Sequence, residues 1–231
     1  MSSPDAPQPS SFAESSAAER ELHPTERRPR LWPWLVLAAM IAALIAVRTF
    51  APPPAEPDGN GRRHPAVGKE ITQVSLQPLT GGGPVILEAD LVGKVTAINF
   101  WATWCGPCKM EFPELIELEE DFRSRRDFQF LSVSCSGPDD VEQLRQVTAA
   151  FLRQQRAEFR TLHDPGFQTQ LALAAAASLD GFAYPTTVVI DRQGVIRGLW
   201  VGYAPGDERR VRAAIESALR NEPLPAAATP R

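Results

Sequence analysis

Two cysteines two residues apart constrain this chain most, because they stand where an apolar run gives way to a helical pattern. The motif CGPC at residues 105–108 follows the run KVTAINFW at 94–101 and precedes apolar positions at helical spacing between 110 and 125. The run predicts a strand buried on both faces, and the spacing predicts an amphipathic helix. Free N–H groups at the start of a helix stabilise a thiolate, which is the nucleophile in disulfide exchange. The motif therefore predicts a redox-active pair.

The same pair of cysteines has two other interpretations. Half of a zinc site uses the same spacing, but the chain has three cysteines in all, no second such pair, and scattered histidines at 23, 64 and 163. A structural disulfide closing so short a loop would constrain the unfolded chain little. We therefore expect no metal and no cofactor beyond the redox-active Cys105–Cys108 disulfide.

The composition predicts the state of the N-terminal segment and argues against one class of partner. Residues 1–30 are rich in Ser, Ala, Pro and Glu, so they cannot bury enough apolar surface to fold, and we predict a disordered cytoplasmic tail. The 24 Lys+Arg against 28 Asp+Glu include no basic stripe, which argues against nucleic acid as a partner.

An apolar run predicts contact with the lipid bilayer. Residues 31–47 carry no charge, and basic residues precede them, so we predict a transmembrane helix at 31–50 that acts as a signal anchor. The N-terminus would be cytoplasmic and the catalytic domain extracytoplasmic, on a single pass through the membrane. A cleaved signal peptide is the alternative, and it delivers the domain to the same side.

The remainder predicts one domain between two irregular segments. Residues 51–66 form a Pro/Gly-rich linker, 67–220 the domain, and 221–231 a disordered tail. Apolar and polar residues alternate at 71–79, three glycines follow at 81–83, and a short apolar run stands at 85–87. This order predicts an N-terminal β-hairpin. Strand and helix patterns then alternate, and a late hairpin at 186–201 has its turn at 191–194. This order predicts an α/β domain with a central mixed β-sheet flanked by helices.

Several motifs together resemble a known family. The segment NFWATWCGPC at 99–108 resembles the active-site segment of the thioredoxin superfamily, in particular its TlpA/ResA branch of membrane-anchored proteins. YPTT at 184–187 is similar to the cis-proline loop of that family, IDRQG at 190–194 to the hairpin that follows, and EFP at 111–113 to the helix after the active site. The likeness covers residues 67–219 and implies a thioredoxin-like fold and thiol-disulfide oxidoreductase activity.

The resemblance also implies residue roles. Cys105 would be the attacking thiol and Cys108 the resolving one. Pro185 would be cis and lie against the pair, and the backbone of Tyr184 would bind an extended client segment, with Thr186 beside it.

Three further residues, Trp104, Gly106 and Pro107, would line the client-binding surface. Thioredoxin has a buried Asp where this chain has Asn99, and Glu111, three residues after Cys108, could take its place. The alternative for Glu111 is an ordinary solvated acid.

The third cysteine, Cys135, ends a predicted strand. We interpret it as a buried small hydrophobe, with a third redox participant as the alternative.

The predicted activity is reduction of disulfides in client proteins. The Gly-Pro dipeptide between the cysteines matches thioredoxin, whose potential of about −270 mV is far more reducing than the −120 mV or so of DsbA. The resemblance implies a bacterial inner (cell) membrane, with the catalytic domain periplasmic, and a membrane thiol carrier of the DsbD or CcdA type as electron source. It also implies clients such as apocytochrome c in cytochrome c-type biogenesis, or copper-site proteins.

Rival functions stay open at this point. A disulfide-donating oxidant would use the same residues in the opposite direction. A copper-delivery module of the thioredoxin fold would want one more residue between the cysteines and a partnering histidine. A peroxiredoxin would need the pattern P-x-x-x-T-x-x-C, which is missing.

Overall fold

The computed structural model describes residues 32–50, 60–135, 137 and 140–224. They fall into two units, of which the first contains helix α1 (Trp32–Phe50) and the second contains all other described elements. A spanning helix needs about 20 mainly apolar residues. In the part of the chain that the structure describes, no helix is long and apolar enough to cross a membrane, and the expected transmembrane helix at 31–50 is not found.

The second unit is built on one seven-stranded mixed sheet, in the order β2-β1-β5-β4-β3-β6-β7. Its strands are β1 (Ser75–Thr80), β2 (Ile86–Leu87), β3 (Val95–Trp101), β4 (Phe128–Ser134), β5 (Thr161–His163), β6 (Thr186–Ile190) and β7 (Ile196–Val201). Its helices are α2 (Gly106–Phe122), α3 (Val141–Gln155), α4 (Gln168–Ala177) and α5 (Asp207–Leu219). The predicted N-terminal hairpin is confirmed as the antiparallel pair β1–β2.

The central strand β3 positions the site. It runs parallel to β4 and antiparallel to β6, and all seven of its residues are buried. Because side chains alternate across a strand, Ala97 and Trp101 join the core beneath α2, α3 and α5, whereas Ile98 and Phe100 join the core beneath α4. Helices thus cover both faces of a mixed sheet, as predicted.

Both ends of the domain differ from the prediction. Residues 60–66, expected in the linker, pack on the sheet, where Gly61 pairs with Leu199 and Ala66 is fully buried. Glu222, expected in the disordered tail, donates its N–H to the carbonyl of Ser217 at 3.0 Å. A long-range strand pair therefore extends the fold at the N-terminal end, and a local hydrogen bond after the last helix extends it at the C-terminal end.

The other segments predicted to be irregular lie outside the described residues. They are the N-terminal tail 1–30, residues 51–59 of the linker and residues 225–231 of the C-terminal tail.

Candidate functional site

The two cysteines stand at the start of α2, as the sequence predicts. Cys105 is the N-cap residue, in extended conformation, and its sulfur accepts the N–H of Cys108 at 3.1 Å. The two sulfurs form a disulfide of 2.04 Å. Cys105 is 4% exposed and Cys108 is fully buried, so an incoming group can reach only the Cys105 side of the bond.

Exposed residues surround Cys105. Gly106 and Pro107 form the first turn of α2 at the surface. The space in front of Gly106 is open, since a Cβ built there would have no neighbouring atom within 4 Å. Trp104 is 65% exposed. The surface beside the redox pair is thus open and carries an exposed aromatic ring, a residue type that is enriched at protein-binding surfaces.

The predicted cis-proline loop lies beside this surface. The Tyr184–Pro185 peptide bond is cis. The Tyr184 ring contacts Trp104, with centroids 5.9 Å apart, and packs against the core cluster that contains both cysteines. The structure therefore brings Trp104 and Tyr184, which are far apart in the sequence, to one surface.

Thr186 does not reach that surface, contrary to the prediction. It is fully buried, pairs with Phe100 and Val201 on the neighbouring strands, and donates its hydroxyl to the carbonyl of Ala183 at 2.8 Å. Its side chain is therefore not available to a client.

Glu111 lies in a buried polar network between α2 and the sheet. The Asn99 side-chain amide donates to Glu111 Oε2 at 3.0 Å and to Thr187 Oγ1 at 2.8 Å. The Thr187 hydroxyl in turn donates to Glu111 Oε1 at 3.2 Å. Asn99 and Thr187 are direct partners on β3 and β6. The solvated alternative for Glu111 is therefore excluded.

Burial changes the acidity of this carboxyl. Desolvation raises the pKa of Glu111 to about 7, opposed by the two hydrogen bonds and assisted by the nearby charges of Asp207 and Glu114. A group that titrates near neutral pH, one turn beyond Cys108 on the same helix, is suited to exchange a proton with the thiols. Thr187 was not predicted as a site residue, although it belongs to the YPTT motif; its role depends on the sheet register.

Cys135 follows β4 and is only partly exposed. Its N–H donates to the carbonyl of Trp101 at 2.7 Å. Burial raises the pKa of its thiol to about 12, partly offset by the Tyr184 hydroxyl. The thiol is therefore protonated at neutral pH and a poor nucleophile.

We predict that Cys135→Ala reduces a protein disulfide within about twofold of the wild-type rate, because a protonated thiol takes no part in exchange. Stopped-flow measurement of the pre-reduced protein against a disulfide-bonded substrate checks this. A large loss would identify Cys135 as a third redox participant.

Metal ligands do not cluster in the described residues. Among them, no group of three or more His, Cys, Asp or Glu side chains could hold a metal ion. His163 lies on β5, where it lines a cavity with Cys135.

A redox-active cysteine pair at a helix N-terminus, a cis-proline loop beside it and a mixed sheet behind them define a thiol-disulfide oxidoreductase of the thioredoxin fold. The AhpC/TSA family pattern matches residues 67–199, more than half of the chain, and the protein belongs to that family. The resemblance to the thioredoxin superfamily seen in the sequence is thereby confirmed.

Named relatives agree with this class. The chain is 33% identical over 141 residues to the thiol:disulfide interchange protein HelX of Rhodobacter capsulatus, covering 60% of this chain and 70% of that protein. It is 30% identical over 138 residues to the thiol:disulfide interchange protein DsbE of Pseudomonas aeruginosa, covering 59% and 67%.

A solved structure is also similar. A proposed thiol:disulfide interchange protein DsbE from Chlorobium tepidum matches with a TM-score of 0.54 and 29% identity, covering 66% of this chain and 97% of that one. Proteins of this class act on disulfide-bearing client proteins.

Proposed function

We propose that the protein reduces disulfides in client proteins. The Cys105 thiolate attacks a client disulfide, one client sulfur leaves as a thiolate, and a mixed disulfide forms. Cys108 then attacks Cys105, which releases the second client thiol and leaves the Cys105–Cys108 disulfide. The observation that carries this order is the N-cap position of Cys105, whose sulfur accepts the Cys108 N–H at 3.1 Å while Cys108 is fully buried.

The surrounding residues have complementary proposed roles. Trp104, Gly106 and Pro107 offer the exposed surface on which the client lies, and the backbone of Tyr184 before Pro185 binds an extended client segment. Glu111 accepts the proton of Cys108 as this thiol attacks. No cofactor other than the cysteine pair takes part.

Location and partners belong to the same proposal. The apolar segment 31–50, preceded by basic residues, supports delivery of the domain to the extracytoplasmic side of a bacterial inner membrane. A reductant in that oxidising compartment needs electrons from a membrane thiol carrier, of the DsbD or CcdA type. The oxidised C-x-x-C-H motif of apocytochrome c is the proposed client. Reaction of Cys105 in intact cells with a membrane-impermeant thiol reagent, after reduction, tests the location.

The direction of electron flow is tested by the reduction potential of the full chain in detergent, equilibrated with dithiothreitol buffers. A Cys135→Ala background leaves one titrating pair. We expect a value near that of thioredoxin, about −270 mV. A value near that of DsbA, about −120 mV, would instead identify a disulfide donor and reverse the proposed direction.

A further inference from the structure

A cavity lies near the surface that carries Cys105 and Tyr184. A cavity of about 370 Å³ opens at the carboxyl ends of β4 and β5, where α3 and α4 begin. Its wall is apolar and is formed by Val141, Leu144, Pro165 and Phe167. Polar side chains, among them His163, Asp164 and Gln170, complete the lining.

Two polar side chains of this cavity, Asp164 and Gln170, already have hydrogen-bond partners. The two carboxylate oxygens of Asp164 accept the backbone N–H groups of Thr169 at 3.0 Å and Gln170 at 2.8 Å. Gln170 Oε1 accepts the Tyr184 hydroxyl at 2.7 Å. Burial lowers the pKa of His163, so its ring is neutral at pH 7. A lining of apolar walls, hydrogen-bonded polar side chains and a neutral imidazole favours an apolar occupant over a charged one.

Tyr184 connects the cavity to the redox pair. Its hydroxyl is bonded to Gln170 in the cavity lining, whereas its ring contacts the exposed Trp104 beside Cys105. Its backbone precedes Pro185, at the edge proposed to bind the client. A client segment lying along this edge therefore reaches the cavity within a few residues of its target cysteine.

Phe167 at the wall of the cavity has an unfavourable backbone conformation. Its φ of 59° is left-handed, directly after Gly166 at φ 64°. Large side chains seldom adopt this region because the Cβ approaches the following carbonyl. The side chain is also 55% exposed, so burial in the free protein does little to offset that cost. An exposed aromatic ring held in this way beside an apolar cavity is suited to contact a ligand.

We propose that this cavity binds an apolar side chain of the client, aromatic or large aliphatic, close in sequence to the cysteine under attack, with Phe167 packing against it. The proposal rests on the proposed function, because it specifies the clients of the Cys105–Cys108 pair. It makes the cavity a specificity site for a protein segment, separate from the reacting sulfurs.

The test uses disulfide-bonded peptides that carry Phe or Asn at one of the four positions on either side of the cysteine. The pre-reduced full chain should reduce the best Phe peptide with a kcat/KM roughly tenfold above that of its Asn counterpart. Phe167→Ala and Val141→Glu should abolish this preference. Val141 begins α3, where an added carboxylate is favourable for the helix. Leu171→Ala is the matched control, since Leu171 is 65% exposed on α4 and does not line the cavity.

Glutathione disulfide, too small to occupy both sites, separates the two proposals. Unchanged glutathione disulfide reduction in the variants, with loss of the Phe preference, supports the cavity. An equal loss on both substrates, or no Phe preference in the wild type, overturns it. If the wild type reduces no disulfide, the proposed function fails. Fluorescence polarisation with labelled Cys→Ser peptides then still decides whether the cavity prefers Phe.

Discussion

Replacement of Cys105 with serine is expected to abolish the reduction of client disulfides, with a loss of roughly three orders of magnitude or more in rate. The hydroxyl cannot form the nucleophilic anion at neutral pH that a thiol at a helix N-cap can. Neither other cysteine can replace it. Cys108 is fully buried behind Cys105, and burial raises the pKa of Cys135 to about 12. The rate of reduction of a protein disulfide by pre-reduced protein measures this loss.

Cys108→Ser distinguishes the roles of the two thiols. It should still form a mixed disulfide with the client but should not resolve it, so that a covalent complex accumulates on a non-reducing gel. Cys105→Ser should give no such complex, and Cys135→Ser should behave as wild type. Accumulation of the complex in Cys105→Ser, rather than in Cys108→Ser, would mean that Cys108 attacks first and that the proposed order is wrong.

The redox pair was predictable from the sequence because its structure is local. A β-branched and aromatic run, a dithiol and an amphipathic pattern follow one another within residues 94–125, and each predicts its own element. The structure places β3 at Val95–Trp101 and starts α2 at Gly106, directly after Cys105. No long-range information was needed for this part of the site.

The edges of the domain were not predictable in the same way. Residues 60–66 show no strand or helix periodicity, and their position depends on Gly61 pairing with Leu199, far along the chain. The burial of Thr186 depends on its pairing with strands on both sides. The cavity beside Tyr184 likewise depends on how the beginnings of two helices meet. Such features follow from tertiary pairing, which a one-dimensional pattern does not contain.

The role of Glu111 was predictable only in part. Spacing alone placed it on the helix face of Cys108, which left open whether this face meets solvent or the sheet. The register of β3 and β6 decides the question, because it sets Asn99 beside Thr187 and directs both toward Glu111. Helix periodicity could identify the candidate, but only the sheet could show that it is buried.

The second large effect concerns the stability of the protein as a function of pH. The pKa of Glu111 is raised from 4.5 to about 7 by burial, so the folded protein holds a proton that the unfolded chain releases. The favourable contribution is complete below pH 4.5 and is lost as the pH rises through 7. The linkage relation gives a loss of about 3 kcal/mol in the free energy of unfolding over this window.

Glu111→Gln should remove this dependence, because the amide can keep hydrogen bonds to Asn99 and Thr187 but carries no titrating proton. Urea unfolding of the oxidised protein between pH 4 and pH 8 measures this. The free energy of unfolding of the variant, relative to that of the wild type, should rise by about 3 kcal/mol across the window. Glu117→Gln, on an exposed position of the same helix, is the control and should follow the wild type. Parallel curves for all three proteins would mean that folding does not change the pKa of Glu111.

The same substitution separates a positioning role from proton transfer. If the ionised carboxylate accepts the Cys108 proton, the wild-type rate of client reduction should rise with pH as Glu111 loses its proton near pH 7. Glu111→Gln should lack this rise and be roughly a hundredfold slower or more at pH 8, because a positioned general base usually contributes about 10²–10⁴-fold. Because the variant is expected to be more stable than wild type at that pH, slow turnover could not be attributed to unfolding. A variant that keeps both the wild-type rate and its pH profile would restrict Glu111 to holding β3 and β6 against α2.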